Sequence, residues 1–257
     1  MNWTNFSRII TATCLPLVVS GAIAGTNPGT GIYGTVHDFS GTGFINPAVA
    51  EVGLCTICHT PHKAQTTSLL WNQKLTTAVF NWGDTQTYGG TPLPSSAHLG
   101  PSTKCLSCHD GTVAVGDVSL FNKQTSGTAA GTIMIKIGQG SMYSIGYKGN
   151  MTGNHPIAIP YPLNSTPSTY NGITTGSAVI LNEFVANPHS PATSVKLYND
   201  DGHGVITTGP AAGASGIECT TCHDPHNKQA QDKYFVRGRI QGSSVADGYI
   251  CLKCHIK

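Results

Sequence analysis

Charge is what this chain has least of. Asp, Glu, Lys and Arg make up 10% of its 257 residues, against about 25% in ordinary globular domains. Long periodic segments are scarce too, since few stretches carry a helical or alternating apolar period and the apolar residues are thinly spread. No basic run occurs, which removes the electrostatic footprint that nucleic-acid binding needs. Beyond residue 24 no apolar segment approaches the length of a membrane span. A conventional hydrophobic core is therefore not expected, and 31 glycines with 15 prolines point to a loop-rich chain.

The one long apolar run lies at the N-terminus. Residues 1–8 are polar with a single positive charge, Arg8, and residues 9–24 are apolar, broken by Pro16 and closing on Ala22-Ile23-Ala24. This reads as a cleaved secretory signal over residues 1–24, too short for a membrane span. Cys14 sits in mid-run, far from the polar boundary, so a lipid-anchored cysteine is not expected there. The remaining 233 residues are expected to be exported.

All eight other cysteines fall in one repeated pattern, Cys-x-x-Cys-His, at Cys55–His59, Cys105–His109, Cys219–His223 and Cys251–His255. Two intervening residues let one helical turn bring both sulfurs to the same side, and the next residue offers an imidazole. Sulfurs so placed can form thioethers to a porphyrin whose iron takes the imidazole. A zinc ribbon needs no His after every Cys pair, and a redox dithiol needs only one copy. Four covalently attached haem c groups are thus expected, bound through Cys55, Cys58, Cys105, Cys108, Cys219, Cys222, Cys251 and Cys254. His59, His109, His223 and His255 are then the proximal ligands.

No cysteine remains for a structural disulfide. Four macrocycles would replace the missing core, much as metals or disulfides do in small domains. The expected fold is mostly irregular coil with short helices at the haem-binding motifs and a few short strands, all organised around four haems and unfolded without them. The formal charge of +2 includes Arg8 of the signal. Haem propionates lower it by about eight charges in the ferrous state, of which ferric iron returns about four.

The four motifs are ordered by an internal duplication. His59-Thr60-Pro61-His62 is echoed by His223-Asp224-Pro225-His226, and Cys105-Leu106-Ser107-Cys108-His109 by Cys251-Leu252-Lys253-Cys254-His255. Residues 25–150 form a first two-haem module and residues 151–257 a second, within one continuous haem-cored domain. Between motifs, residues 119–132 and 164–176 read as loops, residues 133–147 as a hairpin, and residues 177–186 as a short helix or strand.

Seven histidines remain once the proximal four are set aside: His37, His62, His98, His155, His189, His203 and His226. Four are needed if every iron is bis-histidyl. His62 and His226 hold equivalent places three residues after a proximal His, too close to reach the far face of their own haem, so each is expected to ligate a neighbouring one. The repeat suggests one further ligand upstream of each module's first motif. His37 fills that place in the first module, while His155 and His203 compete in the second, with His155 preferred for its surroundings. His98 and His189 lie in Pro-rich stretches and read as solvated surface residues. A Met ligand from Met134, Met142 or Met151 has no repeat relation to support it.

His37-Asp38-Phe39-Ser40, Cys55–His62, Cys105–Gly111, Asn154-His155-Pro156 and Cys219–His226 together resemble the doubled Cys-x-x-Cys-His multihaem cytochromes, from His37 to the C-terminus. Within that group the chain resembles the secreted tetrahaem filament cytochromes of the OmcE type. The resemblance implies distal ligands at His37, His62, His155 and His226, polymerisation head-to-tail, and a continuous haem chain. The long insertion between His155 and Cys219, which holds His189 and His203, departs from the pattern.

Saturated axial positions leave iron no site for a substrate, so electron transfer rather than catalysis is expected. The reading is an extracellular conductive filament at the cell surface, exchanging electrons with other cytochromes, donors or acceptors, with no nucleic acid and no membrane span. A discrete periplasmic shuttle is the alternative, since the same features suit it. A multihaem reductase fits least, because no Cys-x-x-Cys-Lys variant occurs. The N-terminal segment over residues 25–44 is short of core residues and is a candidate to reach a neighbouring subunit, with His37 as a ligand in trans.

Overall fold

Each Cys-x-x-Cys-His motif folds as a single helical turn, because the spacing that brings the sulfurs together also lets a backbone bond close over four residues. His59, His223 and His255 donate their backbone N–H groups to the carbonyls of Cys55, Cys219 and Cys251 at 2.8, 3.0 and 2.9 Å, and the second motif lies inside a longer helix. A computed structural model describes residues 27–39, 54–62, 64–65, 68–82, 98, 100–115, 119–120, 123–124, 136–175, 181–189, 194–201 and 205–256. The signal over residues 1–24, with Cys14, lies outside the described residues, as do Met134 and His203.

The fold is mixed and mostly coil. Helix α1, Pro101–His109, starts with proline in its first turn and carries the second motif; helix α2, Cys219–Cys222, is capped by Glu218 and carries the third. A 3-10 turn over Ile250–Lys253 carries the fourth. Strands are short: β1 Ser119–Leu120, β2 Lys123–Gln124, β3 Ile159–Pro160, β4 Thr169–Tyr170, β5 Ile173–Thr174, β6 Tyr198–Asp200, β7 Ile206–Thr208 and β8 Ser215–Ile217. β3, β8, β6 and β7 form an antiparallel sheet in that order, while β1 pairs with β2 and β4 with β5. No described helix is long and apolar enough to cross a membrane.

Several expected elements fall elsewhere. Residues 164–176, read as a loop, contain the β4–β5 hairpin, and the β1–β2 pair falls within residues 119–132, also read as a loop. The hairpin expected over residues 133–147 is, in its described part, turns leading to a 3-10 turn at Tyr147–Gly149. Residues 181–183 of the expected helix or strand form a 3-10 turn. The β1–β2 and β4–β5 pairs are tight hairpins of two-residue strands, too short for alternation to register in the sequence.

Two small apolar clusters anchor the motifs. Phe80, Trp82, Leu106, Met151 and Ala158 pack under α1, so Met151 is a core side chain. Tyr161, Leu163 and Leu197 form the other, with Phe184, Ile217 and Cys254 against it. The four-stranded sheet occupies the insertion between His155 and Cys219. β3 begins four residues after His155, and β8 runs through Glu218 into α2, so the insertion joins a candidate distal ligand to the third motif.

Gly216 on β8 pairs with both Pro160 and Tyr198, and a Cβ there would run into the ring of the fully buried Tyr170. The substitution Gly216→Ala is expected to cost about 1–3 kcal/mol through overpacking, read as a lower midpoint in thermal unfolding of the mature protein.

Candidate functional site: paired imidazoles at the Cys-x-x-Cys-His motifs

The imidazoles of the motifs are oriented by backbone carbonyls. His59, His109 and His223 each donate Nδ1–H to a carbonyl, of Leu69 at 2.7 Å, Tyr143 at 2.7 Å and Tyr234 at 2.8 Å. A carbonyl can only accept, so the proton sits on Nδ1 and the lone pair on Nε2 is left for a metal. His37 and His155 make the same kind of bond to the carbonyls of Pro225 at 3.4 Å and Pro156 at 2.8 Å.

The first motif of each half is built the same way. His59 faces Trp71 and His223 faces Val236 in isolated antiparallel bridges. Thr60 N–H binds the Leu70 carbonyl and Asn72 N–H the Cys58 carbonyl; Asp224 and Arg237 repeat this with Phe235 and Cys222. Leu69 and Leu70 have φ of 58° and 51°, and Tyr234 and Phe235 have 60° and 59°. Two consecutive non-glycine residues in the left-handed region are costly. In both halves the first of the pair supplies the carbonyl that receives the imidazole Nδ1–H.

Three ring pairs then bring distant histidines onto motif histidines. His59 lies opposite His226 with ring centroids 6.1 Å apart and planes at 23°. His109 lies opposite His37 at 6.2 Å, and His255 opposite His155 at 6.3 Å. Two imidazoles on opposite sides of one metal, with metal–nitrogen bonds of about 2.0 Å and ~1.1 Å from nitrogen to ring centre, put the centroids ~6.2 Å apart. The donor set therefore fits a metal that takes two axial imidazoles. Among the described residues no three His, Cys, Asp or Glu side chains converge as a bare ion requires.

The surroundings of the motifs add two observations. The indole Nε1–H of Trp71 is buried without a hydrogen-bond partner, and its ring stands edge-on to His59 at 6.0 Å. Such an orphaned donor beside a motif imidazole suits a group that carries a carboxylate. The thiols are poor candidates for thiolate chemistry. Burial pushes those of Cys58, Cys108 and Cys254 up to about 12 and that of Cys222 up to about 11.

Neighbouring thiols also show how the motifs adjoin. The Cys58 thiol lies within electrostatic reach of Cys108, that of Cys105 within reach of Cys219, and that of Cys251 within reach of Cys222. The four motifs thus neighbour one another in chain order. His37 is drawn down to about 4, first by burial and then by His109, with His223 and His226 adding to it. Burial also lowers His223. Neutral imidazole is the form that ligates a metal.

The N-terminal segment is held by its own chain. Asn227, fully buried, donates Nδ2–H to the carbonyls of Asn27 and Gly31 at 2.9 Å each, and accepts Gly29 N–H at 3.3 Å. Together with the His37–Pro225 bond this docks residues 27–39 on the loop after the third motif. His37 meets His109 within this chain.

His62 is exposed on the loop after His59. His189 accepts Leu197 N–H at Nδ1, 2.9 Å, which places its proton on Nε2, the opposite of the five oriented rings. His98, read as a solvated surface residue, is instead 3% exposed, with Nε2 2.8 Å from Glu218 Oε1. Its partner lies 120 residues away, which no local pattern announces. The positioning roles of Leu69, Tyr143, Tyr234 and Trp71 were likewise missed. Only the recurrence of the His–carbonyl construction in both halves could have pointed to two of them.

No protein-family model matches the chain, and no curated protein matches it in sequence.

Replacing His98 by Ala leaves Glu218 buried without its ring partner. The expected cost is about 1–3 kcal/mol, read as a lower thermal midpoint, with the spin state of any bound iron unchanged.

Proposed function

We propose that this chain is a tetrahaem c-type cytochrome that carries electrons, an exported relative of the filament-forming cytochromes it resembles. The observation that carries the reading is the set of three ring pairs at 6.1–6.3 Å, each joining the His of a Cys-x-x-Cys-His motif to a His elsewhere in the chain. Cys55 and Cys58, Cys105 and Cys108, Cys219 and Cys222, and Cys251 and Cys254 would hold the four groups covalently. His59 with His226, His109 with His37, and His255 with His155 would be the axial pairs.

The fourth pair follows from the duplication. His226, which follows the third motif, meets His59 of the first. The equivalent exchange takes His62, which follows the first motif, to His223 of the third. Each module would then complete the other's first site.

Bound haem would supply reversible one-electron iron chemistry, and the paired imidazoles would leave its iron no position for a substrate. The chain's own residues do the rest. Carbonyls of Leu69, Tyr143 and Tyr234 fix the imidazole tautomer and its rotation. Nδ1–H bonding also raises ligand basicity, which holds iron more firmly. The chain-order adjacency of the motifs supports a continuous path, and low charge with abundant Gly, Thr and Ser suits an extracellular assembly that stacks head-to-tail.

Several measurements test this. Intact mass and haem content of the exported protein should give four haems per chain, and converting one motif's two cysteines to serine should give three. His226→Ala should open one iron, producing a high-spin ferric signal and carbon monoxide binding at one haem in four, while His189→Ala should leave all iron low-spin. Material shed from cells, viewed by negative-stain microscopy, should show filaments. Dispersed small particles alone, at high concentration, would favour the periplasmic shuttle.

A further inference from the structure

Outside the four ligand pairs, one buried polar cluster sits where the two halves of the chain meet. Glu218 is 1% exposed, and every group on its carboxylate is a donor. These are His98 Nε2 at 2.8 Å, Tyr170 Oη at 2.7 Å, Ser102 N–H at 3.1 Å, Ser102 Oγ, and the backbone N–H of Thr221. His98, Ser102 and Tyr170 are themselves at most 3% exposed.

The cluster ties two motif helices together. Ser102 lies in the first turn of α1, three residues before Cys105, and Glu218 caps α2 directly before Cys219. Ser102 Oγ also accepts the Cys219 backbone N–H at 2.9 Å. Across the same junction α1 and α2 pack directly on each other. One carboxylate thus holds the second motif against the third.

The surroundings keep this charge from being screened by water. Tyr170 stays a donor, its phenol pushed upward by burial and by Glu218 itself. Lys104, on α1, is a cation within electrostatic reach of the carboxylate, and His98 adds a second when protonated. In such a low-dielectric setting a fixed charge acts on nearby redox groups far more strongly than it would at a surface.

We propose that Glu218 is a positioning residue for electron transfer between the second and third attachment sites. Its carboxylate fixes the packing of α1 on α2, and its negative charge holds the potentials of the two flanking haems lower than they would be without it. The proposal rests on the tetrahaem reading above.

The test is Glu218→Gln in the full chain, matured with haem and titrated spectroelectrochemically beside the wild type. Two of the four potentials are expected to shift upward and two to stay, with haem content and low-spin spectra unchanged. Four unmoved potentials, or four moving together, would overturn the proposal, even if the variant melts earlier. Should Glu218→Gln fail to mature, Tyr170→Phe takes its place. It removes one donor at nearly constant volume and is expected to shift the same two potentials downward, whereas four unmoved potentials overturn the proposal. Failure of the tetrahaem reading would show in the wild type itself, as fewer than four haems or as high-spin iron.

Discussion

A single hydrogen bond, from an imidazole Nδ1–H to a backbone carbonyl, sets the terms for much of this structure. It fixes which nitrogen is bare and which way the ring faces, and the chain must bring a carbonyl to the right place to make it. At His59 and His223 that means two successive residues in left-handed conformation, which side chains resist. The chain accepts that strain twice, at equivalent places. Local backbone cost is therefore spent on orienting the motif imidazoles.

Packing follows the same logic. The apolar clusters are small, and each abuts a motif, one under α1 and one against Cys254. The four-stranded sheet is short and lies in the insertion between His155 and α2, where it sets the distance between them. Polar networks carry as much of the long-range structure as apolar contacts do. Asn227 holds the N-terminal segment, Asp110 gathers Thr76 and Thr112, and Glu218 joins the halves. A chain with so few charges buries several of them at junctions.

The sequence made the motif turns, the coil-rich fold and the two-fold repeat legible, because each rests on spacing within about ten residues. It also pointed to His37, His155 and His226 as residues that would meet motif histidines, and the ring pairs bring all three there. Which motif each would meet was not legible, since the partners are set by how the halves fold against each other. His98 was misread for a related reason. Its neighbourhood looks like a surface loop, but its environment is made by Glu218 and Tyr170 from the far half of the chain. The strand pairs were misplaced because two- and three-residue strands carry too little alternation to register.

The docking of residues 27–39 on Asn227 has a consequence for the order in which the protein can be made. The bond between Gly29 and Asn227 spans 198 residues, and that between His37 and Pro225 spans 188. The pair formed by His59 and His226 likewise closes only when the third motif is present. An emerging chain therefore has neither the dock for residues 27–39 nor the ring partner of His59 until residues 225–227 have been made. Contacts of such sequence separation form slowly. The N-terminal segment is thus among the last parts of the fold to find its place.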